Sequence, residues 1–157
     1  MNIQSQKRSI PDRRPAYLGN GLIGLPVAQI PFFSDHAFVT GYVGESTQLG
    51  VEAISPAPYP LGVDVAVNGH WLSERPHMAR FAKQCLDFAN GELTSRFAVA
   101  APAATVEAEV LTFCSRTQPM VVVQRSTFQV DRPCKLALRP QVDWRATPGQ
   151  LLERIMP

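Results

Sequence analysis

Gly19-Asn20-Gly21-Leu22-Ile23-Gly24 fits the pattern G-x-G-x-x-G. In a dinucleotide fold such glycines turn a strand sharply into a helix whose N-terminus holds a pyrophosphate. That chemistry needs a buried apolar strand before the motif and a helix of about ten residues or more after it. The chain offers Asp12-Arg13-Arg14-Pro15-Ala16-Tyr17-Leu18 upstream. Downstream, Pro26 and Pro31 fall where the helix would run, and each removes a backbone donor and clashes with the preceding turn. Glu45 lies at a ribose-like distance, but one acid is a cheap match. The better reading makes Gly19, Asn20, Gly21 and Gly24 a structural turn among β-strands, where glycine allows special backbone conformations and close strand approach.

Other residues could do acid–base work. Glycosidic bond cleavage commonly uses two carboxylates about 5–10 Å apart. Asp64, Asp87, Glu92, Glu107 and Glu109 fall on predicted strands or hairpin ends, where acids usually face solvent. Asp87 is expected to fix a turn through a backbone or Arg96 contact. Asp35-His36 could form an acid–base pair, but neighbours on a strand point to opposite faces, so cooperation needs a loop. His70 and His77 are expected at the surface around a hairpin. No His, Cys or Asp grouping has metal-ligand spacing, and no Ser sits in a nucleophile motif. No catalytic, cofactor or metal residue is therefore assigned.

Aromatic rings can stack on sugars because they offer an apolar face beside a polar edge. Trp71, Tyr42 and Tyr59 are the candidate sugar contacts, with Trp144 a further aromatic of this kind. Core packing is the competing reading for each. Trp71, just after an Asn-Gly turn, is the one most expected at the surface.

The elements that must position these residues follow from composition and pattern. The 157 residues suffice for one domain with a real core. An apolar content of 45% is too high for disorder. A net charge of +2 without a dense Lys/Arg run argues against nucleic acid as a partner. The apolar part from Leu18 to Phe33 is cut by glycines and prolines, so no membrane span is expected. Three widely spaced cysteines suit reduced thiols in a cytoplasmic protein. Fourteen prolines argue against long helices.

Residues 1 to 15 read as a polar, disordered lead-in, and 16 to 157 as a single β-domain. Ala37 to Val43 has strand composition, with Gly41 marking a bulge. Ser55 to Pro60 reads as an extended proline-rich loop. Two hairpins follow, with Asn68-Gly69 and Asn90-Gly91 at their turns, each expected as type I′. In the second, that turn sets Phe88 opposite Leu93 and Gln84 opposite Phe97. Leu86, Phe88, Leu93, Phe97 and Val99 then share one face. Thr105 to Phe113 is a strand whose apolar phase shifts near Val110-Leu111, which predicts a bulge or a change of buried face. Met120 to Val130 and Cys134 to Leu138 are further strands, the last ending before Pro140. Turns at 101–103, 117–119 and 131–133 separate them. Leu151 to Met156 can make a helical turn. Strands so spaced predict an all-β fold, an antiparallel β-sandwich or barrel.

The order of these landmarks resembles the N-terminal domain of glycoside hydrolase family 65. The family includes maltose, trehalose and kojibiose phosphorylases, acid trehalases and related glucosidases. Leu18 to Gly24 looks like its Asn-Gly-x-x-Gly element, and Ala37 to Val43 like the strand after it. Glu52 to Pro56 and Leu61 to Val67 resemble its proline-bearing link and next strand. Leu86-Asp87, Gly91 and Leu93 resemble its Leu-Asp-x-x-x-Gly-x-Leu hairpin, and Glu109 to Thr127 the strands beyond. Leu25-Pro26 stands where the family usually has an arginine.

The resemblance covers roughly residues 16 to 143. It implies a galactose mutarotase-like β-sandwich, of which this chain is the first part. The family's chemistry resides in a later helical barrel, where a glutamate acts as general acid and bound phosphate or activated water as nucleophile. Nothing here matches that barrel. The expectation is a non-catalytic segment of a carbohydrate-active enzyme, inactive alone, whose partners are the catalytic barrel or a second copy. A freestanding carbohydrate-binding module is the alternative.

Overall fold

A computed structural model describes residues 15–45, 49–143 and 147. The lead-in up to Arg14, Trp144 and the turn expected at 151–156 lie outside the described residues. Two antiparallel sheets face each other. The first contains β1 (Ala16–Gly19), β2 (Ile23–Val27), β3 (His36–Glu45), β4 (Glu52–Val67), β5 (His70–Trp71) and β10 (Leu136–Asp143). Its order is β1-β2-β3-β4-β10, with β5 pairing β4. The second runs β6 (Ala79–Asp87), β7 (Glu92–Ala100), β8 (Thr105–Cys114) and β9 (Val122–Val130), in chain order. The all-β sandwich expected from the strand spacing is the observed architecture.

Period-two alternation builds the core. On β8, Val106, Ala108, Val110, Thr112 and Cys114 all point inward and are buried. Facing them from β4 are Val65 and Val67, with Leu72, Phe32 and Met78 filling the same end. A second cluster at the other end joins Leu18, Leu25, Val27 and Tyr59 to Leu93 and Cys114. Each fully buried Val, Leu or Phe side chain stabilises the fold by about 1.5–3 kcal/mol.

The strand β8 corrects one expectation. Its register with β7 and β9 is unbroken, so there is no bulge at Val110-Leu111. The inward row continues through Thr112, a polar residue in a core position, and this mimics a phase shift in sequence.

The proline-rich stretch is a second correction. Residues 55–60 are not a loop but the middle of the 16-residue strand β4. Pro56 and Pro58 stand opposite Phe38 and His36 on β3. Antiparallel pairs alternate between those that exchange N–H bonds and those that do not. Prolines two residues apart can therefore all occupy the second kind. Likewise β10 continues through Pro140, opposite Val63. It tolerates that proline because β10 is an edge strand with one hydrogen-bonded neighbour.

The two Asn-Gly hairpins differ. Asn68 and Gly69 both have positive φ, 51° and 83°, and connect Val67 directly to its partner His70. This is the expected type I′ geometry. At Asn90-Gly91 only Gly91 has positive φ, and the loop spans the four residues 88–91 between paired Asp87 and Glu92. Leu86 then faces Leu93, Phe81 faces Phe97, and Phe88 sits at the loop tip, 84% exposed. Asp87 is the cause. Its carboxylate accepts the main-chain N–H groups of Ala89 and Asn90, at 2.9 and 3.3 Å, and pulls the chain into a wider turn. The bulge expected at Gly41 is present: β3 slips register against β4 between Phe38 and Val43, and Gly41 has φ of 83°.

Candidate functional site

The glycine-rich stretch is a hairpin turn. Gly19 pairs with Gly24, and residues 20–23 cross between β1 and β2. No helix follows; Ile23–Val27 is a strand. Asn20 organises the turn. Its Oδ1 accepts from the N–H groups of Leu22 and Ile23, at 3.1 and 2.9 Å. Its Nδ2 donates to the carbonyls of Ser115 and Pro119, at 2.7 and 2.9 Å, in the β8–β9 connection. Thr40 adds a bond from its hydroxyl to the Gly21 carbonyl. A Cβ at Gly24 would collide with the ring of Tyr17, so only glycine lets that ring lie across β2. The N–H groups of Leu22 and Ile23, which a phosphate cradle would present to its ligand, already serve Asn20. The turn ties the two sheets together.

A second polar constellation lies on the outer face of the first sheet. Asp64 is fully buried, not solvent-facing as its place on a strand suggests. Its Oδ1 accepts from the N–H groups of Val65 and Ser73, each at 3.0 Å. Its Oδ2 accepts from the Ser73 hydroxyl at 2.6 Å and from Arg139 at 2.8 Å. Arg139 stands directly opposite Asp64 in the β4–β10 register. Its guanidinium also lies over the Trp71 ring, 4.4 Å from the centroid. Such cation–π contacts contribute about 0.5–2 kcal/mol. One face of Trp71 is thus taken by Arg139, and the residue is half-buried.

The candidate sugar contacts do not converge. Tyr59 is fully buried in the core, so its ring offers no face to a ligand. This corrects its candidacy in favour of core packing. Burial pushes its hydroxyl up to about 12, against the opposing pull of Ser34 and Gln124 beside it. Tyr42 is exposed on the distal part of β3 beside Val43, whose partner is Ile54 near the start of β4. Trp71 pairs with Ala66 near the end of β4. Roughly 40 Å of strand separates those two places, too far for one sugar ring.

Asp87 and Glu109, like Asp64, have structural partners. Glu109 forms an ion pair with Arg96 across β7 and β8. Arg96 is therefore not the partner of Asp87. Asp87 instead accepts from Asn90 Nδ2 at 2.8 Å as well as from the main chain. The Asn90 side chain and the two N–H groups hold the Asp87 carboxyl below its ordinary 3.8. His36 packs edge-on against Phe38, 4.9 Å between centroids, with Asp35 exposed at the strand entry. His77 is exposed and His70 half-buried. Cys85, Cys114 and Cys134 are free thiols.

Sequence reasoning missed one surface feature. A groove of about 440 Å³ crosses the outer face of the second sheet. Arg96, Glu107, Glu109, Thr127 and Gln129 line it, above Ala82 and Ala98. The signal was there in Ala98, a small outward residue with Arg96 two positions before it on β7 and Glu107 and Glu109 across the ladder on β8. The groove offers planar polar side chains but no exposed aromatic ring.

The family model for the N-terminal domain of glycosyl hydrolase family 65 matches residues 16–155. The match runs through every strand from β1 to β10, and the chain belongs to that family. Among curated proteins, none matches the chain. No helix among the described residues is long and apolar enough to cross a membrane.

Proposed function

Starting from membership of the family 65 N-terminal domain, we propose that this chain is a non-catalytic β-sandwich segment of an enzyme acting on α-glucosides. It is inactive alone and works by supporting a catalytic barrel or a second copy. The family match over residues 16–155 carries this reading. Supporting it, Asp64, Asp87 and Glu109 each spend their carboxylate on a structural bond. On this reading residues 16–157 form one domain of galactose mutarotase-like type in a cytoplasmic protein, where Cys85, Cys114 and Cys134 stay reduced. The test is to incubate the purified chain with maltose and with trehalose, each with and without phosphate. No glucose and no glucose 1-phosphate is expected. Sustained release of either product would overturn the proposal.

A second reading is a sugar-binding module. Two observations favour it: the polar groove over Ala82 and Ala98, and the Trp71 ring held in place by Arg139. Calorimetric titration with maltose and trehalose decides it. Millimolar binding lost in Trp71→Ala supports binding at the ring, and binding lost in Arg96→Ala supports the groove. Heat-free titrations at millimolar sugar eliminate both.

A further inference from the structure

We propose that the outer face of the first sheet docks a second copy of this chain across a two-fold axis. An antiparallel sheet with one solvated face alternates apolar-in and polar-out. The inward row obeys that rule, with Leu18, Leu25, Ala37 and Ala57 buried. The outward row does not. Tyr17 pairs with Pro26, Phe38 with Pro56 and His36 with Pro58, giving adjoining aromatic–proline pairs from β1 to β4. The Tyr17 ring lies over Gly24, whose ladder partner is Phe38, and so joins the first pair to the second. Farther along the same face Val43 pairs with Ile54. Tyr17, Val43 and Ile54 are 58%, 47% and 59% exposed. Pairing with β2 reaches only to Val39, and pairing with β10 only to Tyr59. Val43 and Ile54 therefore ride a two-stranded ribbon with no third strand among the described residues. Such a ribbon is marginal in water unless its apolar face packs on something.

Charge selects the occupant. From Tyr17 across to Ile54 this face carries no Asp, Glu, Lys or Arg, and Glu45 and Glu52 face each other at its far rim. The outer face of the second sheet instead carries Arg96, Glu107, Glu109 and Arg125. A two-fold contact sets one patch against itself. The uncharged patch meets its own copy without burying like charges, whereas the second sheet would have to desolvate its ions. A sugar fits less well, because prolines bring no side-chain donor or acceptor to hold its hydroxyls. Four strands about 4.8 Å apart, followed for about 20 Å, give a face of roughly 400 Å² per copy. The contact then covers roughly 800 Å² in all, short of the about 1,200 Å² at which stable complexes begin. The dimer is therefore weak and reversible. This rests on the supporting role proposed above and names its surface and partner.

The test is sedimentation equilibrium of the whole chain from micromolar to millimolar concentration. The mean mass is expected to rise from one copy toward two, equally at low and high salt, since no ion pair crosses the contact. Ile54→Lys and Val43→Lys, both at exposed positions, put a charge inside the contact and are expected to weaken the dimer at least about tenfold. Thr127→Lys, exposed on the outer face of the second sheet, is expected to leave it unchanged. A chain that stays monomeric at millimolar concentration overturns the proposal and leaves the face to a different partner. So does a dimer that Ile54→Lys and Val43→Lys leave intact, or one that salt or Thr127→Lys dissolves. Release of glucose or glucose 1-phosphate would overturn the supporting role separately, because it is read from products and not from mass.

Discussion

Asn20 Nδ2 donates to the carbonyl of Ser115, 95 residues away in sequence, at 2.7 Å. With its bonds to Pro119, Leu22 and Ile23, this side chain both closes the β1–β2 turn and fastens it to the β8–β9 connection. Each such bond contributes about 0.5–1.5 kcal/mol net. Asn20→Ala is expected to lower stability by about 2–4 kcal/mol in urea unfolding. Asn20→Asp keeps the two acceptor bonds and loses the two donors, so an intermediate loss is expected. An unchanged midpoint in Asn20→Ala would remove the clamp from this account.

Asp64 is a buried carboxylate satisfied from four directions, and Arg139 is the charged one of the four. Removing one partner of a buried charge pair typically costs about 3–5 kcal/mol. Arg139 is half-exposed, its side chain at 56%, and solvent screening brings the cost to the bottom of that range or below it. Arg139→Ala is expected to cost about 2–3 kcal/mol and to change the environment of the Trp71 indole. Tryptophan fluorescence in a Trp144→Phe background reports that change. An unmoved spectrum would contradict the stacking.

Tyr59 makes stability fall with alkali. Its hydroxyl is raised from an ordinary 10.0 to about 12, chiefly by burial. Below pH 10 both folded and unfolded chains keep the proton. Between pH 10 and 12 only the unfolded chain releases it, so rising pH favours unfolding across that window. The loss is up to roughly 3 kcal/mol. In Tyr59→Phe this component of the slope between pH 10 and 12 should vanish. A slope identical to wild type would show that Tyr59 does not carry it.

The loop after β6 gives two contrasting outcomes. Phe88 stands in solvent at its tip, so Phe88→Ser should change stability by less than about 0.5 kcal/mol. Asp87 stabilises the loop only while ionised. Its depressed carboxyl contributes above the ordinary carboxylate value and loses that contribution as pH falls through its folded value. A carbon-detected NMR titration should find Asp87 below 3.8 and moving back toward it in Asn90→Ala. A Phe88→Ser variant that melts far below wild type would return Phe88 to the core.

Local pattern reached far. Asn68-Gly69 announced a type I′ hairpin because only such a pair accepts positive φ twice in succession. The turns near 102, 118 and 132 appeared as expected. Errors arose where a non-local partner decided the outcome. Nothing near Ser55 to Pro60 says that β3 will lie alongside it, yet that neighbour makes the stretch a strand. The Asn90 turn departs for a local reason instead: the carboxylate of Asp87, three residues earlier, outranks its type I′ preference.

Alternation and turn chemistry act over a few residues, so the all-β sandwich, its family and most of its strands can be read from the order of amino acids. It also ruled against a nucleotide loop, since two prolines forbid the required helix. The tertiary structure alone decided what the polar residues do. Whether Asp64 meets solvent or Arg139, and whether Tyr59 meets a ligand or the core, depends on which strand pairs or packs across from it. That choice is set by contacts distant along the chain, and no local pattern encodes them.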